Sequence, residues 1–137
     1  MSQFKWQVRV YYEDTDNGGV VYYANYLRFM ERARTEWLRS HGIEQDRLIR
    51  EHDILFAVRH VSIDYLAPAR FNDQLNVSVD VMSRSRASLT FGQVVTPLKE
   101  SGNALCSAQV KVVSLVSSTL MDCPLPDFIL KEIPDVV

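Results

Sequence analysis

The sequence predicts an α+β fold in which one antiparallel sheet buries a face against a single long helix. Three features carry that expectation: a period-2 alternation near the start, one stretch with helical period, and four later β runs. The 137 residues suit one domain, taken as residues 1–137, that buries roughly two-thirds of its unfolded surface. With 47% hydrophobic and 23% charged residues, and five each of Gly and Pro, the composition is that of a globular protein, neither collagenous nor disordered.

Residues Phe4 to Tyr12 alternate, with Phe4, Trp6, Val8, Val10 and Tyr12 on one side and Lys5, Gln7 and Arg9 on the other, as in a half-buried strand. Glu13-Asp14-Thr15-Asp16-Asn17-Gly18-Gly19 then gathers residues that favour turns, and the paired glycines permit positive φ. From Asn25 the period changes: Tyr26, Phe29, Met30, Ala33, Trp37 and Leu38 recur at three- and four-residue steps. A helix over 25–41 follows, with Asn25 as N-cap and His41-Gly42 as its stop. The charged connector Glu44 to Asp53 has room for a short second helix around Leu48 and Ile49.

Strands are expected at Leu55 to Leu66, Gln74 to Ser85, Ser88 to Pro97 and Asn103 to Val116. They are separated by residues 67–73, by Arg86-Ala87 and by Lys99-Glu100-Ser101-Gly102, and such turns predict an antiparallel meander. In the tail from Cys123, Pro124, Pro126 and Pro134 disfavour a long element, leaving a turn or two of helix at Asp127 to Ile133.

Charge and cysteine content exclude several function classes. A formal net charge of -2 gives no whole-molecule field for nucleic acid or an anionic membrane, and no basic, aromatic-interleaved motif is present. Nowhere do about 18 uncharged apolar residues follow one another, and Met1 to Gln7 has no apolar core of a signal peptide. A cytoplasmic protein with no integral membrane segment is expected. Cys106 and Cys123 are far apart and lack metal-ligand spacing, as do His41, His52 and His60, so reduced thiols and no metal are expected. An EF-hand reading of Asp14 and Asp16 fails, because position five falls on Gly18 and position twelve on Asn25.

The chemistry concentrates between strand and helix, in Tyr11-Tyr12-Glu13-Asp14-Thr15-Asp16-Asn17-Gly18-Gly19-Val20-Val21-Tyr22-Tyr23-Ala24-Asn25-Tyr26, with Glu31-Arg32-Ala33-Arg34 following on the helix. Together with Phe56-Ala57-Val58-Arg59 and Asp64-Tyr65-Leu66-Ala67-Pro68-Ala69-Arg70, this run resembles the hotdog-fold acyl-CoA thioesterases of the 4-hydroxybenzoyl-CoA thioesterase family, nearest their YbgC-type branch. The resemblance covers most of residues 6 to 116. It implies a hotdog fold, in which a curved antiparallel sheet wraps the long helix, and hydrolysis of acyl-CoA thioesters with small acyl groups to free acid and CoA. It further implies a homodimer whose sites use both subunits, assembling to a homotetramer. Coenzyme A is then part of the substrate, so no metal or redox cofactor is expected, and acyl carrier protein is a possible further partner.

Carried over by position, Asp16 matches the family's catalytic carboxylate, as nucleophile or general base, with Asp14 the less favoured of the two. The resemblance also places the thioester carbonyl at the first free N–H groups of the helix, around Tyr23 and Ala24. Tyr23 is thereby assigned to catalysis, and Gly19, Val20, Tyr22 and Ala24 to substrate binding, with Arg59 and Arg70 toward the CoA phosphates. Many YbgC-type sequences carry His where this chain has Tyr23, whose phenol, with a reference pKa of about 10, is no acid-base group at neutrality. A main-chain donor survives that substitution.

Elementary chemistry supports the same site. The first turn of a helix has N–H groups without intrahelical partners and carries positive dipole potential, which stabilises a developing oxyanion. Asp16, with a reference pKa of about 3.9, is ionised at neutrality, and a thiol of pKa about 8.5 leaves without a strong general acid. No Gly-x-Ser-x-Gly elbow is present. Plainer readings stand beside these. An Asp/Asn/Gly cluster is commonly a solvated turn; Tyr26 and Phe29 suit the core, and Tyr22 and Tyr23 suit core or acyl pocket equally. Glu31 is a structural candidate, and the eleven arginines, Arg84 and Arg86 among them, serve surface ion pairs as well as phosphates. Two other functions fit the same fold: a noncatalytic acyl-thioester or acyl-carrier-protein binding module, and a hotdog dehydratase, which needs a catalytic His that this loop lacks.

Overall fold

The structure, a computed structural model, describes residues 3–99 and 103–133. Its elements are β1 (Phe4–Arg9), α1 (Asn25–Ser40), α2 (Gln45–His52), β2 (Ile54–Tyr65), β3 (Gln74–Arg84), β4 (Ser88–Pro97), β5 (Cys106–Val116) and α3 (Asp127–Glu132). Each falls where the residue pattern puts it, within three residues at either end. Of the expected turns, residues 100–102 lie outside the described residues, as does Pro134.

Two local expectations are corrected. The first strand stops at Arg9, and Tyr12–Asp14 form a single 3-10 turn, so Tyr12 leaves the alternation and stands 74% exposed. Asn25 is not the N-cap but the first helical residue; Ala24 occupies the cap in αR geometry, with no side-chain cap hydrogen bond. The Asn25 amide instead donates to the Asp14 carbonyl (2.9 Å), eleven residues back. Competition between a local cap and a tertiary acceptor went to the latter. At the other end His41 is the C-cap and Gly42 takes φ 77, where a β-carbon would be strained.

The sheet order is β1-β3-β4-β5-β2, every neighbouring pair antiparallel. The expected meander therefore holds only from β3 to β5; β2 pairs with β5 across the sheet from β3. The reason lies in the connection 66–73, longer than a hairpin loop and stiffened by Pro68, which carries the chain along one end of the sheet. Register shifts at Val58/His60 and Val81/Ser83 mark bulges, which raise local twist and bend the sheet.

Helix α1 buries Phe29, Met30, Ala33, Trp37 and Leu38 against inward residues such as Leu75, Val77, Phe91, Val95 and Val110. Phe29 and Met30 are wholly enclosed, each worth about 2 kcal/mol of transfer free energy. Helix α2 contributes Leu48 and leaves Ile49 exposed, so it is only a half-covered connector. No described helix is long and apolar enough to cross a membrane.

Candidate active site

Backbone hydrogen bonds and bridges assemble the segment between β1 and α1, some of them local and others supplied by residues about fifty positions away in sequence. The Gly19 N–H donates to the Asp16 carbonyl (3.0 Å) and the Asp16 N–H to the Val20 carbonyl (2.9 Å), closing a tight turn. Gly19 takes φ 76, a conformation that L side chains rarely adopt. The Val21 N–H donates to the Ala69 carbonyl (2.8 Å), Val20 bridges to Arg70, and the Phe71 N–H donates to the Gly19 carbonyl (3.4 Å). Thus the connection between β2 and β3 runs beside the glycine turn, and Arg70, Gly19 and Val20 are brought together as main chain.

Asp16 is exposed. Its Oδ1 accepts the Gly18 N–H (2.9 Å), the Asx-turn geometry of the plainer reading, while Oδ2 has no partner among the described residues. The two roles are compatible, since one oxygen shapes the turn and the other remains available for chemistry. Asp14 behaves differently: it is 8% exposed and its carboxylate accepts the Tyr11 N–H (2.8 Å). Its carbonyl accepts both the Tyr22 N–H (2.9 Å) and the Asn25 amide. Asp14 is a fastening point and Asp16 the exposed carboxylate.

At the amino end of α1 the Asn25 N–H donates to the Tyr22 carbonyl (2.8 Å), which turns the chain into the helix. Among the described residues, the Tyr23 and Ala24 N–H groups have no hydrogen-bond partner. Beside them lies a cleft of about 270 Å³ lined by Val21, Tyr23, Tyr26, Tyr65, Leu66, Ala67 and Pro68. Tyr23 is 60% exposed, its ring edge-on to Tyr65 (6.0 Å) and tilted against Tyr22 (4.8 Å), whose own pKa the Tyr23 phenol raises by hydrogen bonding. Tyr22 and Tyr23 are therefore exposed and not core, and only Tyr23 lines the cleft, whereas Tyr26 and Phe29 are buried in the core. The Asp16 side chain does not line this cleft.

The arginines separate as well. Arg70 lies in the connection beside the glycine turn with an exposed side chain. Arg59 is not brought there: six residues before Tyr65, about 20 Å along an extended strand, its guanidinium pairs with Asp122 (3.0 Å). Arg84 donates to the Leu130 carbonyl (3.3 Å) near the tail. Sequence reasoning missed Tyr65 to Pro68 as cleft-lining residues; the Pro68 turn was the only local signal that this stretch leaves the sheet. A second hollow, about 520 Å³, lies between α1 and β2 and is lined by Leu27, Arg28, Glu31, Arg32, Arg34, Val58, Val61 and Val110. Among the described residues no group of three or more His, Cys, Asp or Glu side chains is arranged to hold a metal.

Comparison with known proteins identifies the family and the fold. Residues 18–102 match the thioesterase superfamily. The chain is 43% identical over 129 residues to the acyl-CoA thioester hydrolase YbgC of Escherichia coli O6:H1, covering 94% of each. It superimposes on the crystal structure of a 1,4-dihydroxy-2-naphthoyl-CoA thioesterase from Synechocystis with a TM-score of 0.87 and 29% identity, covering 96% of each chain. A probable thioesterase from Bartonella henselae aligns at TM-score 0.84 and 30% identity, covering 91% of this chain and all of the other.

Proposed function

Because the chain belongs to the thioesterase superfamily, we propose that it hydrolyses acyl-CoA thioesters carrying small acyl groups to the free acid and CoA. The observation that carries this is the pair of unpartnered Tyr23 and Ala24 N–H groups beside a cleft at the start of α1. It occurs in a chain 43% identical to an acyl-CoA thioester hydrolase. The fold is the hotdog α+β arrangement of that superfamily.

In this reading the thioester oxygen lies at the Tyr23 and Ala24 N–H groups, whose hydrogen bonds strengthen as negative charge develops on it. Asp16 acts on the opposite side of the carbonyl carbon. It either attacks, forming a mixed anhydride that water then cleaves, or takes a proton from water as the hydroxide adds. In both cases the C–S bond breaks and the CoA thiolate leaves with its electron pair, to be protonated at neutrality. Gly19, Val20 and Tyr22 shape the approach to this carbon, and Arg70 is the arginine nearest the turn for a CoA phosphate. Arg59 serves that purpose only by exchanging Asp122 for phosphate.

Because Asp16 stands outside the single-chain cleft, the reading takes the working site to be completed by a second subunit. Strand β2 supports a homodimer: it is an edge strand of twelve residues with exposed Val58, beside the hollow under α1. A homotetramer built from two such dimers, and a cytoplasmic location, where CoA thioesters are available, belong to the same proposal. An acyl group on acyl carrier protein presents the same thioester, so that carrier is a candidate second substrate.

The test is a panel of acyl-CoA substrates, from acetyl to long-chain and aromatic, with free thiol monitored. Release is expected with small acyl groups, and Asp16→Ala is expected to lower it at least about 100-fold with binding retained. A folded wild-type protein that binds these thioesters without releasing thiol is a binding module instead. Conversion of a 3-hydroxyacyl thioester to an enoyl thioester points to the dehydratase.

A further inference from the structure

The connection between β2 and β3 is fastened on three sides. Towards the glycine turn, Ala69 and Arg70 pair with Val21 and Val20. Towards β1, the Asn72 N–H donates to the Val10 carbonyl (2.9 Å) and the Val10 N–H to the Asp73 carbonyl (2.9 Å). Towards α1 a single side chain does the work: the Ala69 N–H donates to the Tyr26 hydroxyl oxygen (3.0 Å).

That hydrogen bond is enclosed, with Tyr26 only 3% exposed and Ala69 fully buried. Burial also holds the Tyr26 phenol above its ordinary pKa, so the oxygen stays neutral and accepting. The Tyr26 ring is edge-on to Phe29 (6.1 Å) and tilted against Tyr65 (5.7 Å), which fixes where the hydroxyl can sit. A buried N–H left without an acceptor is costly, so the connection and the first turn of α1 move together or not at all.

Tyr26 lies two and three residues after the donors at Ala24 and Tyr23, within the first turn of α1. The turn carrying Asp16 reaches the same connection through Val20 and Val21. We propose that Tyr26 is a positioning residue for thioester hydrolysis, its hydroxyl setting the distance between the Tyr23 and Ala24 N–H groups and the loop that carries Asp16. This rests on the site assignment made above. From the sequence Tyr26 has the role of a core aromatic at the end of the motif run, and Phe fills a core position equally well; the hydroxyl is what the core does not need.

Tyr26→Phe keeps the ring and removes the acceptor. Well below its melting temperature, kcat for thiol release is expected to fall about tenfold with KM within about twofold, the signature of misplaced transition-state contacts. Gly42→Ala is the control for a purely structural effect: it strains the opposite end of the same helix, where Gly42 takes φ 77, and lowers the melting temperature with kcat retained. Wild-type kcat in folded Tyr26→Phe, or an equal loss in Gly42→Ala, overturns the proposal. If Tyr26→Phe does not fold, 3-fluorotyrosine at position 26 keeps the shape and weakens the acceptor; a lowered kcat at constant KM is expected, and wild-type kinetics overturn the role. Asp16→Asn run in parallel separates the two levels: full activity there overturns the site assignment, whereas its inactivity with full activity in Tyr26→Phe overturns the positioning role alone.

Discussion

Arg34 donates a 2.8 Å hydrogen bond from its guanidinium to the side-chain oxygen of Gln93, and both side chains are buried. Gln93 is a polar residue on the otherwise apolar inner face of β4; its amide in turn donates to the Met30 carbonyl (3.0 Å) and the Ser78 carbonyl (3.3 Å). A single glutamine thus ties α1 to β3 and β4 and supplies the acceptor for a buried cation. Burial lowers the Arg34 pKa, and the charge of Glu31 opposes that shift.

Gln93→Leu removes the acceptor and leaves Arg34 enclosed, so a loss of about 2–4 kcal/mol is expected in chemical denaturation. The double variant Arg34→Met, Gln93→Leu removes the charge as well and recovers much of that loss. Equal losses in the single and double variants refute this coupling.

Asp14 and Asp16 are expected to separate in opposite senses. Asp14→Ala removes the acceptor of the Tyr11 N–H, and a loss of about 1–2 kcal/mol is expected, recovered in Asp14→Asn, which keeps an oxygen. Asp16→Asn leaves the melting temperature nearly unchanged, because its oxygen still accepts the Gly18 N–H, while thiol release collapses. Thermal melts and activity on the same four preparations of variant and wild type decide this.

Two glycines with positive φ make a matched pair. No atom lies within 4 Å of a β-carbon added at Gly19 or Gly42, so the cost of alanine at either is backbone strain, about 1–2 kcal/mol. Gly19→Ala is expected to lower activity as well as stability, since it distorts the turn that orients Asp16. Gly42→Ala, at the opposite end of α1, is expected to lower stability alone; an equal activity loss in both contradicts the placement of the site.

The buried Cys106 thiol is pushed up to about 12, first by burial and then by the charge of Asp64. In the unfolded chain it ionises near about 8.5. The folded state therefore holds the proton more tightly; its contribution is complete below about pH 8.5 and is lost as the pH rises toward about 12. Stability measured between those limits is expected to fall less steeply in Cys106→Ala than in the parent. The slope does not vanish, because burial also raises the pKa of Tyr26 and Tyr65. A disulfide-exchange reagent is expected to reach the half-buried Cys123 first and Cys106 only on unfolding.

What the sequence determined by itself is local. Alternation placed the strands, the three- and four-residue steps placed α1, and the Asp16-to-Gly19 run fixed a turn, because each depends on neighbours within about one helical turn or strand repeat. The motif from Tyr11 to Tyr26 pointed to the family for the same reason: most of the residues that carry the resemblance lie in one short segment.

Tertiary structure alone decided the rest. Pairing β2 with β5 and β1 with β3 is a choice among partners of similar propensity, settled by which arrangement closes the core around α1. It decided that Asn25 fastens Asp14 and does not cap its helix, that Arg59 meets Asp122, and that Tyr26 receives the Ala69 N–H from 43 residues away. Hydrogen bonds of this kind join groups that share no sequence neighbourhood, so they come into being only once the chain has folded.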